Sequence, residues 1–143
     1  MKALITGITG QDGYFLSQLL LQKGYEVYGV VRRNSSKSLG TLSLLPEDVR
    51  REIRLLEGDV TDTGFMNRMV SEIKPDEFYH LAAQSFVAYS FANPSATYDT
   101  NIGGTLNAVN TMPRTRLYFT ASSEMFGKPE VVPPERGNPV PPP

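Results

Sequence analysis

The sequence contains no cysteine and no tryptophan, and one histidine among its 143 residues. The absence of cysteine excludes a disulfide framework, a thiolate metal site and a thiol nucleophile. Long apolar runs are missing as well: none approaches the ~18 residues that a bilayer-spanning helix needs. Charge of one sign is also lacking. The 14 Lys+Arg stand against 15 Asp+Glu, for a net charge of −1, which leaves no broad basic footprint for nucleic acid or an anionic membrane. No segment repeats at the ~20–50-residue spacing of solenoids and propellers. Met1 and Lys2 lead directly into Ala3-Leu4-Ile5, so no cleavable leader is expected here and the expected location is cytoplasmic. What is present is a hydrophobic content of 40%, enough for a packed core and too much for wholesale disorder. The length suits one domain at ~150 residues each, not two.

Short apolar runs alternate with helical patterns along the chain. Lys2–Thr6 reads as a buried strand, because it is apolar and a glycine-rich turn follows. Asp12–Lys23 carries Tyr14, Phe15, Leu16, Leu19, Leu20 and Leu21 at mixed helical spacing, with Gly24 as a stop. Tyr25–Val31 is rich in β-formers and ends at Arg32-Arg33. Asn34–Leu45 is rich in serine and reads as a mobile loop. Pro46–Arg51 reads as a helical turn, with Glu47 and Asp48 suiting a helix start. Ile53–Glu57 is a short strand. Asp59–Asp62 opens a helix, with Thr61 or Asp62 as cap and Phe65, Met69, Val70 and Ile73 as its stripe. Lys74-Pro75-Asp76 closes it.

Glu77–Ala82 contains the next strand. Asn93-Pro94 starts a long helix through about Asn110, with Tyr98, Ile102, Leu106 and Val109 on one face. Arg116–Ala121 is the fifth strand. The alternation predicts an α/β class: a Rossmann-like, doubly wound parallel sheet with helices on both faces, truncated after about five strands. Residues 1–128 are expected to form an incomplete nucleotide-binding domain. The proline-rich tail 129–143 cannot build a compact element.

Thr6-Gly7-Ile8-Thr9-Gly10-Gln11-Asp12-Gly13 joins the first strand to the first helix. Gly7 allows a sharp turn out of the strand. Gly10 lets the backbone approach a diphosphate, and Gly13 lets the helix pack close to the sheet. The amides of this loop and the positive helix end then face the anion, with Thr9, Gln11 and Asp12 as its remaining members. A glycine-rich turn without a ligand is the bland alternative, and its position between strand and helix argues against it. At the end of the second strand, where an acidic residue would hold an adenosine ribose 2′-hydroxyl, stand Arg32-Arg33-Asn34-Ser35-Ser36. Guanidinium and hydroxyl groups there suit a 2′-phosphate, which favours NADP, held by Arg32, Asn34 and Ser35. Leu81-Ala82-Ala83-Gln84-Ser85 ends the fourth strand. Small residues there leave room for the ribose and nicotinamide beside Leu81, Ala83 and Ser85, while Gln84 and Ser85 point into the crevice. The lone His80 lacks metal-ligating neighbours and reads as a packed, supporting residue. No metal is expected. Thr100-Asn101 reads as a packing feature.

The pieces TGITGQDG, VVRRNSS, GDVTD, LAAQSFV and SSEMFG follow one another in this order. The chain from Lys2 to about Pro139 thereby resembles the N-terminal part of the GDP-mannose 4,6-dehydratases, extended short-chain dehydrogenase/reductases acting on nucleotide sugars. The glycine spacing G-x-x-G-x-x-G is typical of that superfamily. The resemblance implies an internal redox cycle on GDP-mannose. Hydride leaves sugar C4, the resulting ketone acidifies C5, water departs from C6, and the hydride returns to C6. It assigns Glu124 as the carboxylate of the elimination step and Ser122 as the hydroxyl that hydrogen-bonds the C4 oxygen. Ser123, Gln84 and Ser85 fall on the substrate side. Asp59 would accept from the adenine amino group, with the Val60 backbone beside it; the bland alternative is that it merely caps the helix that follows, and both roles can hold. Ser122 and Glu124 could likewise cap a helix, but Gly127-Lys128-Pro129 offers none.

The long helix Asn93–Asn110 would pack against a second copy, so a homo-oligomer is implied. One departure stands out. The family's Tyr-x-x-x-Lys pair is absent, since none of the 7 tyrosines has a lysine four residues on. The chain is therefore expected to be an N-terminal piece, a truncated product or the ordered part of something longer, with 129–143 starting the missing catalytic and substrate part; it is expected to catalyse no dehydration alone and to be poorly soluble. Another extended epimerase or reductase, and a non-catalytic NADP-binding remnant, are the competing readings.

Overall fold

A computed structural model describes residues 1–33, 39–111 and 115–122. Asn34, Ser35, Ser123, Glu124 and the 129–143 tail lie outside the described residues. The strands are β1 (Lys2–Thr6), β2 (Glu26–Val31), β3 (Arg54–Glu57), β4 (Glu77–His80) and β5 (Arg116–Phe119). The helices are α1 (Gln11–Gln22), α2 (Glu47–Arg51), α3 (Thr63–Ile73), α4 (Val87–Ala92), α5 (Pro94–Tyr98) and α6 (Gly104–Thr111). A 3-10 turn spans Gly40–Leu44, and a π-helical turn over Asp99–Gly103 joins α5 to α6.

All pairings are parallel, in the order β3-β2-β1-β4-β5. The first strand lies in the middle because both of its faces are apolar and its neighbours bury them. Ala3 and Ile5 pack with Ile8, Leu20, Val27 and Val31 on one side of the sheet. Leu4 packs with Val30, Met66, Met69, Ile73, Phe78 and Ala108 on the other. Successive residues thus feed opposite cores, the pattern of a sheet covered on both faces. Each aliphatic side chain so buried contributes about 1.5–3 kcal/mol before chain entropy is charged against it. The chain leaves β1 toward β2 and β3, then returns to place β4 on the other side of β1. That reversal is the switch point at which open α/β sheets bind ligands.

Helix ends follow from local chemistry. α1 closes with Gly24 at φ 76°, Gly24 N–H bonded to Leu21 O at 2.9 Å and Tyr25 N–H to Leu20 O at 3.0 Å, a Schellman arrangement that needs the left-handed residue. α3 is capped by Asp62, which accepts from Phe65 N–H at 2.9 Å.

Three expectations require correction. The serine-rich segment is not simply a mobile loop, because its described part, from Leu39 on, forms the 3-10 turn and buries Leu42 and Leu45 against α1. Apolar residues at 39, 42 and 45 recur every third position, which suits a 3-10 turn. The long helix is interrupted by the π turn and preceded by the separate α4. Its stripe faces solvent: Tyr98, Ile102, Leu106 and Val109 are all at least half exposed. β4 and β5 are shorter than expected, ending at His80 and Phe119.

Candidate functional site

Thr6 is the last residue of β1, and the chain turns at Gly7 with φ 72°. A Cβ there would lie 2.7 Å from Ala82 N and Leu81 C, so glycine is required twice, by conformation and by the closeness of the β4 exit. Gly10 N–H bonds to Gly7 O at 3.0 Å and closes the loop. Gly13 is buried, and a Cβ on it would sit 2.4 Å from Ile8 O, which is how α1 comes to lie so close to the sheet. The first helical bond of α1 is Tyr14 N–H to Gly10 O at 3.1 Å. Among the described residues, the amides of Gln11, Asp12 and Gly13 make no backbone hydrogen bond, and no side chain caps this end. Three orphan donors and the positive end of a 12-residue helix therefore open toward the loop.

A crevice of about 230 Å³ lies beside the loop. One wall is the loop itself, at Gly7, Thr9 and Gly10. A second is the β2 and β3 exits, at Arg32, Asp59 and Val60, and a third the β4 exit, at Leu81, Ala83 and Ser85. Gln11, Asp12 and Gly13 line an adjoining hollow that shares Gly7, Gly10 and Leu81 with it. On the outer side Arg32 and Thr100 continue into a depression bounded by Gln84, Phe86 and Tyr89. Most of the residues singled out in the sequence thus meet at one place, drawn from segments far apart along the chain.

Several positions are sharpened. Arg33 turns to Glu57, at 3.7 Å across the β3 exit, leaving Arg32 as the guanidinium of the pair on the crevice. Asp59 does not cap α3, since Asp62 does. The Asp59 Oδ1 instead accepts from Thr61 N–H and Thr61 Oγ1, both at 2.9 Å, while the residue stays on the crevice wall. Gln84 departs from the sequence expectation. Its Nε2 donates to Phe86 O at 2.9 Å and its Oε1 accepts from Phe86 N–H at 3.0 Å. The amide therefore staples its own turn, and the residue borders the outer depression, not the main crevice. Ser122 follows β5, is exposed, and is not among the residues that line the crevice.

Two residues set aside in the sequence belong here. Thr100 lines the crevice. Asn101 clasps Gln84, accepting from its N–H at 2.7 Å and donating to its carbonyl at 3.1 Å. Helical periodicity could not find them, because the π turn inserts an extra residue and shifts the phase of the helix. Beneath the floor, His80 is 1% exposed. Its Nδ1 lies 2.8 Å from Thr6 Oγ1 and its Nε2 3.5 Å from Thr105 Oγ1. Burial holds its pKa below the ordinary imidazole value, so the ring is neutral near pH 7.

Donor amides without backbone partners, glycines at 7 and 13 where a Cβ has no room, and a guanidinium at the far wall fit an elongated anion with a diphosphate at its centre. Sheet order and loop together define a Rossmann-type α/β domain with its binding crevice at the switch point. Solved structures agree. The chain superposes on the enzyme WbmH of Bordetella bronchiseptica, in complex with NAD+, with a TM-score of 0.79 at 26% identity, covering 99% of this chain and 46% of that one. Against UDP-glucose 4-epimerase of Thermotoga maritima, bound to UDP-glucose, the TM-score is 0.76 at 28% identity, covering 92% and 41%. The family model for GDP-mannose 4,6 dehydratase matches residues 4–143, and the chain belongs to that family.

Relatives include the GDP-mannose 4,6-dehydratase of Yersinia enterocolitica, 43% identical over 141 residues, covering 92% of this chain and 38% of that protein. The human GDP-mannose 4,6 dehydratase is 41% identical over 147 aligned positions, covering 96% and 40%. The chain therefore spans about two fifths of the length of these curated relatives.

Proposed function

We propose that the chain supplies the cofactor-binding part of a GDP-mannose 4,6-dehydratase, with NADP as the dinucleotide and GDP-4-keto-6-deoxymannose as the product. The observation that carries this reading is the set of three amides without backbone partners beside the glycine loop, on a hollow that shares Gly7 and Gly10 with the crevice where Arg32 stands. The amides of Gln11, Asp12 and Gly13 hold the diphosphate, flanked by Gly7, Thr9 and Gly10. Arg32 pairs with the 2′-phosphate, and Asn34 and Ser35 follow it in sequence. Asp59 and the Val60 backbone meet the adenine. Leu81, Ala83 and Ser85 bound the ribose and nicotinamide, which when bound stores and returns a hydride.

On the sugar side stand Gln84, Ser85 and Ser123. Ser122 donates to the C4 oxygen as it gains charge, and Glu124 removes the C5 proton. Residues 1–128 form the dinucleotide domain and 129–143 lead into the substrate part. The protein works in the cytoplasm as a homo-oligomer. The outward stripe of Tyr98, Ile102, Leu106 and Val109 supports pairing with a second copy. A reading as a nucleotide-sugar epimerase is favoured by one observation, the likeness to UDP-glucose 4-epimerases.

Calorimetric titration with NADP and NAD tests the cofactor. Arg32→Ala is expected to weaken NADP by about 10–100-fold, the worth of one charge-assisted contact, and to leave NAD nearly unchanged. Equal affinities for the two nucleotides in the unaltered protein would refute the assignment of Arg32. Product analysis on GDP-mannose decides between the two activities, because a retained C6 hydroxyl excludes dehydration. Glu124→Gln is expected to abolish the 4-keto-6-deoxy product.

A further inference from the structure

His80 is the single histidine of the chain, and nothing in the proposed chemistry uses it. It is buried between the ring of Phe78 and that of Phe119, which stacks on it at 5.9 Å. The protons around it can be placed from their partners. Thr105 Oγ1 donates to Asn101 O at 2.6 Å, so it is left to accept from the ring, and the imidazole proton sits on Nε2. Nδ1 is then bare and accepts from Thr6 Oγ1. Thr6 Oγ1 in turn accepts from Ala82 N–H at 3.4 Å. One directed chain thus runs from Ala82 through Thr6, His80 and Thr105 to the Asn101 carbonyl.

Three stations of that chain adjoin different walls. Thr6 immediately precedes Gly7 and the amide loop. Ala82 lies between Leu81 and Ala83 on the β4 exit. Asn101 neighbours Thr100 and clasps the Gln84 backbone. β1 meets β4 through the ladder that pairs Thr6 with His80. The Thr105–His80 contact ties the helical stretch that continues from the π turn directly to that ladder, beside the apolar packing of Ala108 with Leu4 and Phe78.

We propose that His80 is a positioning residue for the dinucleotide crevice, its neutral imidazole holding the glycine-loop wall and the Thr100–Asn101 wall at a fixed separation. This rests on the dinucleotide reading above. A charged ring would present a proton to Thr6 Oγ1, which already receives the Ala82 N–H, and the Thr6 hydroxyl proton would lose its acceptor. No carboxylate or cation of the described residues perturbs the ring; burial alone does. The device therefore depends on the ring staying uncharged.

The test uses the intact protein and NAD+ as probe, since its diphosphate keeps one charge state around neutrality. His80→Asn places an acceptor near the Nδ1 position and gives up Thr105. His80→Gln places a donor near the Nε2 position and gives up Thr6. Each is expected to weaken NAD+ by about fivefold, the worth of one lost hydrogen bond, at a temperature where all three proteins remain folded. Unchanged affinity in both variants, with only a lowered Tm, would leave His80 a purely structural residue and overturn the proposal. An unaltered protein that binds no nicotinamide nucleotide would instead refute the dinucleotide reading, and this inference with it. Nitrogen NMR of the unaltered protein does not depend on the variants folding. It should show a neutral Nε2–H tautomer at pH 7 whose Nδ1 resonance, identified by labelling, moves when NAD+ is added. A protonated ring, the other tautomer, or no response to NAD+ would overturn the proposal equally.

Discussion

A methyl group at Gly10 would meet only the Gly7 carbonyl, at 3.3 Å, whereas one at Gly13 would meet the Ile8 backbone at 2.4 Å. The two glycines of one motif thus do different work. Gly13→Ala must push α1 away from the Ile8 backbone and is expected to lower stability by about 1–3 kcal/mol, read as a drop in Tm. Gly10→Ala should melt close to the unaltered protein yet bind nucleotide far more weakly, because its methyl occupies space beside the amides. A calorimetric Kd measured alongside the melt separates the two. The His80 ring makes a further contribution at this scale. Its folded-state pKa lies below 6.5, so the unfolded chain takes up the proton first. The associated stability is complete above about pH 6.5 and is lost as the pH falls through the lower folded-state value. Melts compared between about pH 7.5 and about pH 5 should therefore drop more for the unaltered protein than for His80→Gln. The glycines and Arg32 were legible because their chemistry is carried by residue type and spacing. Thr100 and Asn101 were not, because what matters there is the direction a helix phase gives them.

At the level of elements, caps and registers decide the outcome. Whether Thr61 or Asp62 starts α3 could not be told from sequence, since both are good capping residues four positions or fewer from Phe65. The structure selects Asp62, and this frees Asp59 to stay on the crevice wall. Asp62→Ala is expected to cost about 1 kcal/mol, whereas Asp59→Ala should spare the helix, its effect falling on the Thr61 turn and on adenine affinity. Circular dichroism melts of the two variants check this. The strands and α1 were readable because apolar runs with a following glycine leave few alternatives. The 3-10 turn was missed because Ser and Gly weigh toward loop in any local reading. Its leucines are drawn in by a tertiary surface, α1, and Thr41 is fixed to the glycine loop ahead of that helix by Oγ1 bonds to Thr9 O at 2.9 Å and Gly10 O at 2.7 Å.

On the scale of the whole molecule, much apolar surface is exposed among the described residues. Phe91 is 83% exposed, and the outward stripe of the last helical stretch is joined by Tyr118 and Phe119 on the edge strand β5. Surfaces of this size are usually covered by a partner or by further chain. A polypeptide of these 143 residues is therefore expected to self-associate. Ile102→Lys with Leu106→Lys should shift it toward monomer in sedimentation velocity while leaving Tm within a few degrees, since neither side chain is in the core.

The central placement of β1 has a temporal corollary. Gly7 touches the β4 exit, and the residues that pair across this junction are 74 positions apart. During synthesis, a ribosome that has released only the first βαβ unit has made the amide loop but not its opposite wall. Nucleotide capture must then await the arrival of β4, so fluorescence of a bound nicotinamide analogue on stalled nascent chains would act as a clock for that single long-range docking event.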